Sequence, residues 1–355
     1  MSHAQESNNR WTADRATEWY AAHGWLVGAN FVPSTAINQL EMFQADTFDP
    51  ETIDRELGWA ADIGFNTMRV YLHDLLWTQD AEGFLERVDR YLAIADKHGI
   101  KTMLVLFDAV WDPHPKLGLQ PEPKSGVHNS GWVQSPHIDI LKDTTRHYEV
   151  KPYVVGVLSH FANDPRVLAW DLYNEPGNKN VLSYGKDEIS DKVAKGQTFL
   201  ESLFTWAREE NPSQPLTAGV WLNPGGRTDP PHPLDTLMIE NSDIITFHTY
   251  SPLAGATRAV EWLQTYGRPI VCTEYMARAA GSTFETILPY FKEQNVGAIS
   301  WGLVNGKSQT IYPWISWGKP FEKEPDVWFH DVFRQDGTPF DEKETNLVRS
   351  LTSRH

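Results

Sequence analysis

Eight short apolar runs, each separated from the next by a polar or helix-like segment, limit the folds open to this chain more than any other feature. They are Trp25–Phe31, Thr67–Tyr71, Lys101–Phe107, Val167–Tyr173, Leu216–Val220, Ile244–His248, Ile270–Thr273 and Ala298–Trp301. Their apolar character is nearly continuous, as in strands buried on both faces. Helical stripes fill the gaps. Pro50 to Ile63 opens on the N-cap candidate Asp49, and Ile53, Leu57 and Ala60 recur at helical spacing. Leu85, Val88, Leu92 and Ala95 form a second stripe, closed by Gly99. Further stripes run through Tyr153–Phe161, Phe199–Trp206 and Phe284–Phe291, with a weakly marked helix near Pro233 to Glu240 and a closing one from Asp341 to Leu351. Strands alternating with helices build a parallel α/β sheet. Eight units in 355 residues predict one (β/α)8 TIM barrel over residues 1–355, with residues 1–20 as an N-terminal extension.

Three connections after strand C-termini are long: Asp108 to Asp143, Pro176 to Lys192 and Leu303 to Trp328. In a barrel all three fall on the face where barrel enzymes do chemistry, and long loops in a compact domain are usually functional. The chain holds 15 Trp. Indole faces stack on the C–H faces of sugars, and they also fill cores. Trp77, Trp111, Trp221, Trp301, Trp314 and Trp317 fall at strand ends or in loops, which favours function, whereas Trp59 and Trp206 read as core.

With 31 basic and 47 acidic residues the net charge is −16, which argues against a nucleic-acid or anionic-membrane partner and suits a neutral one. The single Cys272 excludes an intramolecular disulfide. Met1 to Arg10 is polar, with no apolar leader, so a cytoplasmic location is expected, or a secreted one if a leader has been removed.

The sharpest local signal is Trp170-Asp171-Leu172-Tyr173-Asn174-Glu175-Pro176. An apolar strand ends in a carboxylate at its C-terminal tip. Asn174 offers an amide to a substrate hydroxyl, and Pro176 stops the strand. Ile270 to Thr273 likewise runs into Glu274. Two strand-end glutamates suggest a glycosidase carboxylate pair.

These positions resemble glycoside hydrolases of clan A, most closely the cellulase-like family 5, from about Trp25 onward. Arg69 on strand two, Asn174-Glu175-Pro176 on strand four, His248-Thr249-Tyr250 on strand six, Glu274 on strand seven and Trp301 on strand eight carry the resemblance. It implies a retaining β-glycoside hydrolase acting on β-linked, gluco- or manno-configured oligo- or polysaccharides. It also implies roles: Glu175 as acid/base and Glu274 as nucleophile, their carboxyls ~5–5.5 Å apart. Arg69 would keep Glu274 ionised, Tyr250 would donate to it, and His248 would contact Glu175 or the leaving group. Asn174 would hold the sugar 2-hydroxyl, and Trp301 would floor the −1 subsite. Many members carry a His at the end of strand three, where this chain has Phe107-Asp108-Ala109-Val110-Trp111. Asp108 and Trp111 are therefore expected to shape the −1 subsite, the Asp accepting from sugar hydroxyls. His73 and Asp74 either reach the site or cap locally.

No metal or cofactor is expected. His114, His128 and His137 are scattered in one loop without metal-ligand spacing. Gly225-Gly226 lacks the Lys-Ser/Thr of a phosphate loop. The competing readings are a carbohydrate-binding barrel without activity, a barrel hydrolase of other bonds using Asp108 and the loop histidines, and an exo-acting enzyme on short oligosaccharides.

Overall fold

The computed structural model describes residues 10–222 and 230–353. The polar segment 1–9 and Gly225-Gly226 lie outside them. Eight parallel strands are arranged in the order β5-β4-β3-β2-β1-β8-β7-β6. They are β1 (Val27–Asn30), β2 (Thr67–Tyr71), β3 (Lys101–Val105), β4 (Val167–Asp171), β5 (Leu216–Thr217), β6 (Ile245–His248), β7 (Ile270–Tyr275) and β8 (Gly297–Ser300). Hydrogen bonds from Val220 N to Thr246 O and from His248 N to Val220 O join the β5 side to β6 and close the ring. This is the (β/α)8 barrel.

Strand β2 has its expected bounds. The other strands shift or shorten by up to three residues, except β7, which runs two further. The chain beyond β3 and β4 stays buried after regular pairing stops, with Phe107 and Tyr173 fully covered. An apolar run therefore overstates the length of a strand whose βα loop is also covered. Helices occupy Pro50–Asp62, Lys151–Phe161, Lys192–Glu209, Pro233–Asn241, Phe284–Glu293 and Glu342–Thr352, near the expected stripes. Leu253–Gln264 adds one that the stripes did not mark. Among the described residues no helix is long and apolar enough to cross a membrane.

The described part of the expected N-terminal extension packs against the barrel. Ala13–His23 is a helix capped by Thr12, whose side chain accepts from Arg15 N. With Trp11, it buries Ala16 and Tyr20 against Leu26, Met103, Ala169, Val271 and Ile299, closing the N-terminal end of the barrel interior. Sequence alone does not show this, because the helix has only a narrow apolar stripe. Trp77 also proves structural: it sits in the helix Asp74–Lys97 and packs where Gly156 leaves room. Cys272 is a fully buried thiol.

Candidate active site

The catalytic-face ends of β4, β6, β7 and β8 converge on a cavity of about 350 Å³. Glu175 and Glu274 both line it, with Asn174, His248, Tyr250, Trp301, Trp111, Trp221 and Trp314. Glu175 lies past the end of β4 in the left-handed backbone region, at φ +45°. That conformation costs on the order of 1–3 kcal/mol and persists where the surroundings enforce it. Glu274 reaches the site through an irregularity in pairing. Phe247 pairs with Cys272, but His248 pairs with Glu274, so Thr273 is extra. A bulge of this kind re-aims the side chains that follow it.

An oxygen of Glu175 and one of Glu274 lie within 4.8 Å of each other, with a His248 ring nitrogen in the same group. The His248 Nδ1 is 2.9 Å from Glu175 Oε1 and 3.6 Å from Glu274 Oε2. The Asn178 amide donates to Glu175 Oε2 at 2.7 Å. Glu274 is enclosed by donors. Tyr250 gives its hydroxyl proton to Oε2 at 2.8 Å, while Tyr71 and Arg69 Nη1 each donate to Oε1 at 2.9 Å. Burial pushes the Glu274 carboxyl up. The His248 imidazole, the Arg69 guanidinium and the two tyrosine hydroxyls outweigh it and hold the group below the usual carboxylate value.

Arg69 is fully buried and does not reach the cavity. Its Nε and Nη2 donate to Asp171 Oδ2 at 3.0 and 2.8 Å, and Nη2 donates to Asn174 Oδ1 at 2.7 Å. The guanidinium thus ties Asn174 and Glu274 into one frame. Asn174 gives one amide proton to Asp108 Oδ1 at 2.9 Å, which leaves its second for the cavity.

Asp108 departs from expectation. It is buried and absent from the cavity lining. Its Oδ2 accepts from Trp132 Nε1 at 2.6 Å, and its Oδ1 accepts from Asn174 and from Val110 N. With its oxygens so engaged, Asp108 braces the site rather than meeting sugar hydroxyls. Burial drives its carboxyl up to about 7 against those hydrogen bonds. The effect passes on: Trp132 and Tyr71 both meet Trp301 edge-on, at 6.0 and 5.9 Å between ring centroids. His73 and Asp74 take the local role. His73 caps the next helix and faces Gln134 O, and Asp74 accepts from Ser135.

Tyr71, Asn178, Asp171 and Trp132 went unread in the sequence. Tyr71 carried a usable signal: it lies two residues from Arg69 on the same strand and so on the same face. Asn178 and Trp132 sit in loops, where spacing says nothing about direction.

Glu175, His248 and Glu274 are the described residues whose spacing could hold a metal ion. The Arg69 charge 2.9 Å from Glu274 opposes a cation there, and both carboxylates already have internal donors.

A family model described as cellulase (glycosyl hydrolase family 5) matches residues 34–307, most of the chain. The chain belongs to glycosyl hydrolase family 5. Among curated relatives, mannan endo-1,4-beta-mannosidase A of Podospora anserina is 25% identical over 204 residues, covering 54% of this chain and 50% of the relative. Mannan endo-1,4-beta-mannosidase F of Aspergillus clavatus is 27% identical over 119 residues, covering 34% and 24%. The family 5 chain thus spans half or less of the length of these relatives. Two solved structures share the fold. The endo-1,4-beta-D-mannanase of Thermotoga petrophila has a TM-score of 0.57 at 18% identity, covering 92% of this chain and 99% of that one. The exo-beta-1,4-mannosidase of an Opitutaceae bacterium has 0.60 at 17%, covering 99% and 62%.

Proposed function

We propose that this family 5 protein is a retaining β-glycoside hydrolase that cleaves β-1,4-linked, manno-configured oligo- or polysaccharides. The observation that carries the reading is the carboxylate pair. Oxygens of Glu175 and Glu274 within 4.8 Å suit double displacement, since inverting enzymes separate their carboxyls by ~6.5–9.5 Å to admit a water. Glu274, held ionised by its donors, attacks the anomeric carbon as the glycosidic C–O bond breaks. Glu175 gives its proton to the leaving oxygen. It then takes a proton from water, which attacks the glycosyl-enzyme and frees Glu274. His248 orients Glu175 through Oε1, and Asn178 does so through Oε2. The manno configuration is supported by what the named relatives act on.

The test is a panel of β-1,4-manno- and gluco-oligosaccharides, mannan and aryl β-glycosides, with the anomer of the first product read by NMR. Hydrolysis with retention, fastest on mannosides, is expected. First-formed α-anomers would remove the mechanism, and a preference for glucosides would remove the substrate. The cavity also supports a second reading, action on short chains or chain ends. Three loops meet beside it in an aromatic wall, where Trp317 stacks on Trp111 at 5.6 Å and meets Tyr184 at 5.4 Å. Release of single sugars from the start of mannan digestion would favour it, and a spread of oligosaccharides would oppose it.

The tryptophans divide by role. Trp301→Ala is expected to lower kcat more than it raises KM, because the −1 sugar distorts in the transition state over that platform. Trp314→Ala should mainly raise KM, since a contact made equally in ground and transition states affects binding alone. Steady-state kinetics on one oligosaccharide checks both, and an equal pattern for the two variants would refute the division.

A further inference from the structure

We propose that the buried Lys192–Glu188 ion pair is a positioning device for Trp111, holding its indole at the border of the substrate cavity. This rests on the reading of that cavity as a β-glycoside site. Neither residue lines the cavity. The Lys192 side chain is 0% exposed and that of Glu188 2%, and a lysine is almost never fully buried unless it is paired.

Trp111 needs such a device. Its φ is +69°, a backbone conformation that bulky residues rarely adopt. Both of its backbone polar groups are held by side chains: the N–H donates to Asn180 Oδ1 at 3.0 Å, and the carbonyl accepts from Gln134 Nε2 at 2.7 Å. Those two amides are aimed from behind. Asn180 Nδ2 and Gln134 Nε2 each donate to Glu188 Oε1 at 2.6 Å. Lys192 Nζ donates to the same oxygen at 2.7 Å, to Gln134 Oε1 at 3.0 Å and to Ala109 O at 2.9 Å. An ammonium has three protons, and all three have an acceptor here.

The arrangement joins the loops after β3 and β4 at one point. An apolar pair of similar volume would stabilise at least as well, but it could not direct two amides at the two peptide units that flank the Trp111 Cα. The charge on Glu188 fixes which end of each amide faces Trp111. The indole then passes the constraint on, stacking on Trp317 and meeting His128 at 5.8 Å.

The experiment is a double-mutant cycle. Lys192→Met and Glu188→Gln are made singly and each with Trp111→Ala, and kinetics are measured on a manno-oligosaccharide. Each single change at the ion pair is expected to raise KM on the order of tenfold and to change kcat less than about threefold, the pattern of lost uniform binding. In the Trp111→Ala background neither should add more than about twofold, since the residue they act through is gone. A further tenfold rise there, or a loss confined to kcat, overturns the proposal. Glu188→Gln keeps the side-chain shape and carries the cycle if Lys192→Met does not fold. Crystal structures of Glu188→Gln and the parent protein give a readout independent of activity. Trp111 is expected to leave its positive φ, or its loop to lose order. An unchanged 108–112 backbone overturns the proposal, even if the glycosidase reading itself fails on the substrate panel.

Discussion

Replacing Glu274 with alanine is expected to lower turnover on the order of 10⁴-fold or more on every β-glycoside, because no nucleophile remains. Glu175→Ala should be selective. An activated aryl leaving group needs little protonation, so its glycosylation step survives, while natural linkages fail at that step. Azide separates the two variants further. In Glu175→Ala the glycosyl-enzyme still forms on Glu274, and azide attacks it without needing a base, giving a β-glycosyl azide. In Glu274→Ala azide enters the space left by the carboxylate and attacks from that side, giving the α-azide, while Glu175 still protonates the leaving group. The two anomers are distinguishable by NMR. The same anomer from both variants, or near-normal turnover in either, would sink the assignment of these two glutamates. Both side chains line one cavity, and removing either takes away hydrogen bonds at its wall rather than core packing.

The fold was legible in the sequence because parallel strands covered on both faces are uninterrupted apolar runs, and eight of them with helical spacers leave few other architectures. Strand ends were less legible. Phe107 and Tyr173 are as apolar and as buried as any strand residue, yet they lie where the chain has left the ladder, and composition cannot separate burial from pairing. The two strand-end glutamates stood out because a carboxylate that closes an apolar run sits where burial is costly, and a carboxylate is almost never buried without a partner. Asp108 did not read correctly for the same reason. A strand-end carboxylate looks alike whether it faces a ligand or an indole, and only the position of Trp132, 24 residues on, decides between them. The N-terminal helix was missed because its buried face is narrow, only Ala16 and Tyr20 within Ala13–His23. The network behind Trp111 had no sequence signal, since it depends on a positive φ and on three side chains meeting one carboxylate oxygen.

Arg69→Met is expected to move the acidic limb of the kcat/KM profile to higher pH. Glu274 must be ionised to attack. In the native site its carboxyl lies below the usual carboxylate value although burial pushes the other way, and the guanidinium 2.9 Å from Oε1 is one of the charges responsible. Its acidic limb should therefore lie below the ordinary carboxylate range in the parent protein. Removing the guanidinium leaves the burial in place, so the pKa rises and activity is lost at a higher pH. Stability should follow the same sign. A depressed native pKa contributes stability that is present above the unfolded value and is lost as pH falls through the folded one. In Arg69→Met that contribution shrinks, and the variant should lose less stability on acidification than the parent. The change also strips Asp171 of both guanidinium hydrogen bonds, and breaking a buried pair costs about 3–5 kcal/mol. Arg69→Lys is the control, since it keeps the charge and gives up the fork. If charge is what matters, the lysine variant keeps its acidic limb near the parent's even where its turnover falls. An unmoved limb in a folded Arg69→Met protein would show that His248 and the two tyrosine hydroxyls suffice to hold Glu274 ionised, and that Arg69 serves only to fix Asn174 and Asp171 in place.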